Sequence, residues 1–180
     1  MSDDNDIKLE NNFKYKWNFF YHDVDSSDFT EHSFKLVHEI NNIEDIIDLM
    51  KSIPTFQSGM FFLIRSDCSP VIGKKGGMWS YKINKKYIDS VFENLCYLLC
   101  LNKISKYADE NIYGISLSPK INNAIIKIFT KDEMEITAKD KFHKIYDLDH
   151  NTAFFRLNFE PVNRFKFKQD KYDRKKKFRN

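Results

Sequence analysis

The chain has 180 residues, of which 42 % are hydrophobic, 16 % aromatic and 31 % charged, with a formal net charge of +3. That suffices for one domain with its own core. No apolar run reaches the roughly 20 residues of a membrane span, and the polar, acidic start MSDDNDIKLENN does not read as a signal peptide, so a cytoplasmic protein with no membrane association is expected.

Residues 1–12 read as a disordered acidic N-terminus and 13–180 as a single domain. In FKYKWNFFYH (13–22), Phe13, Tyr15, Trp17, Phe19 and Tyr21 alternate, which predicts a half-buried strand. DVDSSD follows; it lacks the central glycine and closing glutamate of a calcium loop and reads as a turn. A second strand is predicted over 33–40, with Phe34, Leu36, His38 and Ile40 on one face. The period then changes: Ile43, Ile46, Ile47, Met50 and Ile53 recur at helical spacing, with Asn42 as N-cap and Pro54 closing the segment.

Strands over 59–65 and 78–84 flank a loop holding Gly73, Gly76 and Gly77, three of the five glycines in the chain. The paired glycines stand just before Trp79, where they allow backbone angles that other residues resist. A long helix is predicted over 85–102, striped by Tyr87, Val91, Leu95, Leu98 and Leu99, with Cys96 and Cys100 as small core residues. NIYGISLS and NAIIKIFT form a hairpin through PKIN, then come a helical stretch near 131–147, a strand over 153–159 and a basic end. Pairs of strands separated by helices imply an α+β fold, an antiparallel sheet with about three helices on its convex face and a concave face left for a ligand.

Catalysis finds little support. The chain has no zinc-spaced Cys/His set, no GxSxG, no P-loop and no GxGxxG, so neither an enzyme nor a cofactor or metal is expected. The charge is unevenly spread, with nine Lys/Arg and two Asp from Pro161 to Asn180, a local +7 that leaves −4 on the remainder. Such a segment suits phosphates or another acidic surface, and a solvated basic tail is the alternative.

In order and spacing, KWNFFYH, SFKLVHEINNIEDII, GGMW and NIYGISLSPKINNAIIKIFT resemble the eukaryotic cap-binding translation initiation factor family, the 4E family, from about Lys16 to the end. The resemblance implies physical binding of a 7-methylguanosine cap. Two flat rings sandwich the cationic base, a carboxylate accepts from the guanine edge, and Lys and Arg hold the phosphates. Carried over by position, Phe29 stands near the first sandwiching Trp, and Phe129 matches the Trp that closes over the methyl group. Lys120 matches a phosphate-binding Arg, and Lys127 lies two residues past the next basic position, which is Ile125. The loop that should carry the second Trp and the Glu is short and offers Ile72 and Gly73, while Met78 replaces the Arg after the glycines. Tyr21, Phe56, Phe61, Asp28 and Asp67 are candidates to fill the missing wall. Trp79 is expected in the core.

The resemblance also implies a convex face for a helix of a scaffold initiation factor, at Ile43, Ile47, Glu93, Asn94 and Tyr97, with Ile47 and Asn94 departing from the pattern. The segment 160–175 would be a mobile basic loop, its Arg164, Lys166 and Lys168 reaching RNA, with KKKFRN as a closing strand. The expected function is that of a monomeric mRNA 5′ cap-binding translation initiation factor with an altered cap preference. The alternative is an interaction adaptor of the same fold that has lost the cap. Divergence at both surfaces and an Ile/Lys/Asn-heavy composition suit a distant member from a protist or a large DNA virus, acting then in the host cytoplasm.

Overall fold

A computed structural model describes residues 12–73, 75–107, 111–131, 138–145 and 147–158. Its strands are β1 (Asn12–His22), β2 (Lys35–Asn42), β3 (Met60–Arg65), β4 (Gly77–Asn84), β5 (Ile112–Pro119), β6 (Asn123–Thr130) and β7 (Phe154–Leu157). They form one sheet in the order β2-β1-β3-β5-β6-β4-β7, every neighbouring pair antiparallel. The helices are α1 (Ile43–Ser52), α2 (Ile88–Cys100) and the four-residue α3 (Ala138–Lys141). The expected antiparallel α+β architecture is present. Only α3 represents the third predicted helix among the described residues, and none of the helices is long and apolar enough to cross a membrane.

Alternation on the strands divides the apolar residues between two clusters. Trp17, Phe19, Leu63, Trp79, Tyr81, Ile115, Ile126 and Ile128 face α1 and α2 and meet Ile46, Leu49, Val91, Phe92, Leu95 and Leu99. Cys96 and Cys100 lie inside this main core, and burial pushes both thiols up in pKa. On the opposite face Phe34, Phe62, Ile64, Met78, Tyr113 and Phe129 form a second, smaller cluster.

Local chemistry fixes the helix starts. The Asn42 side chain accepts from the Asp45 N–H at 2.9 Å and Asp45 accepts from the Asn42 N–H at 3.3 Å, a capping box that closes β2 and opens α1. In the first turn of α2, Asp89 accepts from the Phe56 N–H at 2.6 Å and from the Thr55 hydroxyl at 3.0 Å, tying the loop after α1 to α2.

One strand departs from simple alternation. Phe19 pairs with His38 but Phe20 pairs with Leu36, so Val37 is an extra residue on β2. The four residues expected on one face are therefore split: His38 and Ile40 pair with Phe19 and Trp17 of the helix side, while Leu36 and Phe34 turn to the other. Leu36 and Val37, both 50 % exposed, lie on the sheet edge.

The paired glycines have separate reasons. Gly76 adopts φ +82°, and a Cβ there would run into the Thr130 carbonyl oxygen. A Cβ on Gly77 would strike the Phe155 ring, which packs over Trp79 at 5.2 Å. We expect Gly76→Ala to lose at least about 1 kcal/mol of stability in urea unfolding, because strain and collision act together. Gly73→Ala, at a site with nothing within 4 Å and no positive φ, should leave the midpoint unchanged.

Candidate functional site

The second cluster floors a cavity of about 410 Å³ on the face away from the helices. β3 contributes Met60 and Phe62, β5 contributes Ser116 and Ser118, and β6 contributes Ile125, Lys127 and Phe129. The remaining lining comes from Phe29 and Phe34 after β1, from Pro70, Val71 and Ile72 after β3, and from Lys120 at the β5–β6 turn. The volume is that of a small-molecule site, apolar in its walls with a few polar groups converging on it.

Phe29 sits on a loop, yet its ring is held. It stacks on His22 with centroids 4.4 Å apart and planes 8° from parallel, leaving Phe29 48 % exposed. His22 is fully buried, and its Nδ1 and Nε2 lie 2.8 and 2.7 Å from the carbonyl oxygens of Asp23 and Asp28. A side chain on β1 therefore clamps both ends of the turn that delivers Phe29. Phe34 packs edge-on to Phe62 at 5.0 Å, and Phe129 stacks on Tyr113 at 5.6 Å. The aromatic lining is braced from behind.

The charged groups are cationic. Lys127 is half-buried, and its ammonium is pushed below the usual lysine range by burial first, then by the charges of Arg156 and Lys120. An anion placed among these groups would relieve both effects. No carboxylate is among the described lining residues.

Phe29, Ile72, Lys120, Lys127 and Phe129 thus come together around one cavity. Arg164, Lys166 and Lys168 lie outside the described residues. Ile43, Ile47, Glu93, Asn94 and Tyr97 sit on α1 and α2, on the other side of the sheet, all half-buried. Burial, with the neighbouring Glu93 carboxylate, pushes the Tyr97 hydroxyl up. The candidates for the missing wall are placed elsewhere. Phe61 is buried in the main core and Tyr21 packs against it, because alternation sends them to the helix side, while Phe56 is buried there by the loop after α1 that Asp89 holds. Asp28 accepts from the Thr30 N–H at 2.8 Å and from its hydroxyl, bonds that hold its carboxyl below the usual range. Asp67 pairs with Arg65 through Nε–Oδ1 at 2.6 Å and Nη2–Oδ2 at 3.0 Å, and that guanidinium lowers its carboxyl likewise.

The sequence reading missed His22, Phe34, Met60 and Phe62 as site residues. His22 and Phe62 were readable, since each is out of phase with the core-facing alternation of its strand. Phe34 was not, because the extra residue at Val37 reverses its side.

Solved structures share the fold. Ascaris suum eIF4E-3 with m7G cap is similar at a TM-score of 0.60 and 17 % identity, over 71 % of this chain and 77 % of that one. A Schistosome eIF4E complexed with m7GpppG and 4E-BP gives 0.62 at 14 % identity, over 71 % and 76 %. The C. elegans eIF4E-3 in complex with the 4E-binding protein Mextli and cap analog gives 0.61 at 17 % identity, over 71 % and 78 %. The family match is far broader, running from residue 12 to residue 180. With its sheet, its two clusters and that match agreeing, the chain belongs to the eukaryotic initiation factor 4E family.

Proposed function

We propose that the protein is a non-catalytic factor that binds the methylated guanosine cap at the 5′ end of mRNA for translation initiation in the cytoplasm, as a monomer. The observation that carries this reading is the convergence of Phe29, Ile72 and Phe129 on one cavity with Lys120 and Lys127 on its wall. The base enters between Phe29 and Ile72, which gives an aliphatic contact in place of a second flat ring, with Phe129 toward its methyl group. Lys120 and Lys127 take the phosphates. With no carboxylate among the described lining residues, selection among caps of different methylation differs from a site that reads the guanine edge through an acid. The outer surface of α1 and α2, with Ile43, Ile47, Glu93, Asn94 and Tyr97, receives a helix of a scaffold factor; the similar C. elegans and Schistosome proteins are seen with 4E-binding partners. The basic segment 160–175, with Arg164, Lys166 and Lys168, serves RNA beyond the cap.

The absence of a carboxylate among the described lining residues also favours a second reading, an adaptor that keeps the fold and the helical face but has lost cap binding. Retention on immobilised cap analogues of several methylation states, with unmethylated guanosine triphosphate as control, separates the two. Selective retention of any cap supports the first, and passage through every column supports the second.

Two measurements test the residue roles. Phe29→Ala should weaken cap binding by roughly 1–3 kcal/mol with the melting temperature unchanged, since the ring is half-exposed on a loop. Unchanged affinity would remove Phe29 from the site.

Lys127 gives a pH signature. Its ammonium is depressed in the free protein and must be charged to hold a phosphate, so affinity should fall as pH rises, beginning below the range of an ordinary lysine. Lys127→Arg keeps its charge throughout and should flatten that part of the profile, while Lys127→Met should lower the salt slope by about one. Identical pH profiles for the wild type and Lys127→Arg would make the lysine a bystander.

A further inference from the structure

The open face of the sheet does not end at the cavity wall. Beyond β6 lie β4 and then β7, whose residues on this face are the buried Met78 and Ser80 and then the exposed Phe154. Ser116 pairs with Lys127, Lys127 with Ser80, and Ser80 with Phe154, so one cross-strand row runs from the cavity floor to the last strand. Paired residues point to the same side, and two strand spacings put Phe154 about 10 Å from Lys127. The adjacent row places Phe129, Met78 and Arg156 in the same order.

Phe154 is 60 % exposed, and the core gives no reason for its ring. Its neighbours Ala153 and Phe155 pack against the main core, and Phe155 occupies the space left by Gly77. That contact fixes the register of β7 and turns Phe154 outward. Lys127 stands between this ring and the cavity, within electrostatic reach of both Lys120 and Arg156. From the cavity outward the surface reads flat ring, clustered cations, flat ring.

We infer that Phe154 is a stacking platform for the base of the nucleotide joined to the cap, with the bridging phosphates crossing Lys127. The ligand class is a dinucleotide in which an anionic linker separates two rings. The inference rests on the cap-binding reading, and it gives the protein a contact with the transcript's first base that is built into the sheet.

The test compares two cap ligands of equal charge: 7-methylguanosine triphosphate esterified on its terminal phosphate by ribose, here the mononucleotide, and the dinucleotide in which that ribose carries adenine. The wild type should bind the dinucleotide more tightly. Phe154→Ala should lower dinucleotide affinity by about tenfold, to the level of the mononucleotide, and leave mononucleotide affinity unchanged. Phe154→Trp should keep the advantage and add an optical signal, since Trp17 and Trp79 are 1 % and 3 % exposed on the helix side. Emission from the introduced indole should be quenched by the dinucleotide and not by the mononucleotide. If Phe154→Ala retains the full advantage, or loses affinity equally for both ligands, the inference is overturned while the cap-binding reading stands. If the wild type binds both ligands equally, the inference likewise fails alone. Binding of neither ligand would overturn the reading and the inference together.

Discussion

Side chains on an antiparallel sheet must alternate, and here both faces of the sheet are put to use. One face is closed by α1 and α2 over a main core that includes both tryptophans. The other keeps a smaller cluster around Phe62 and Phe129, and the cavity forms where that cluster is not covered. Since neighbouring residues on a strand serve different faces, the fold and the site draw on separate sets of positions. The concave side is therefore free to change without disturbing the packing of the core, in a fold shared with solved structures at 14–17 % identity.

The electrostatics of the concave face follow from this arrangement. Cations from β6, β7 and the β5–β6 turn approach one another, and burial adds to their mutual repulsion at Lys127. Such a cluster is uncomfortable alone and is relieved by an anion. Among the described residues, Asp28 is committed to its own turn and Asp67 to Arg65. Polarity in the proposed site therefore favours phosphates over a positively charged base, and the rings must supply the attraction for the latter.

Much of the architecture was legible in the sequence. The alternation in FKYKWNFFYH, the change of period at Asn42 and the hairpin through PKIN each rest on local chemistry, and each appears where expected. The cavity wall opposite Phe129 was less legible. Tyr21, Phe56 and Phe61 were reasonable fillers by residue type, but the face a strand residue such as Tyr21 or Phe61 occupies depends on register, and the place of Phe56 on how its loop folds against α2, both set by neighbours distant in sequence. His22 illustrates the same limit. Its burial, its two carbonyl contacts and its stack with Phe29 arise only once the loop folds back over β1. Resemblance supplied positions for Phe29, Lys120 and Phe129, and the strand geometry supplied their neighbours.

The extra residue at Val37 bears on how such a site can change over time. If the same residues alternated regularly from Ile40, with Val37 taking a place in the ladder, Phe34 and Leu36 would be carried to the opposite face. Phe34 would then leave the cavity, and with it the ring that packs beside His22 and Phe62. Chain length, and not only residue identity, sets the shape of that wall. A single-codon insertion or deletion in an edge strand, where few contacts resist it, could thus exchange one lining for another in one evolutionary step, a route closed to the central strands.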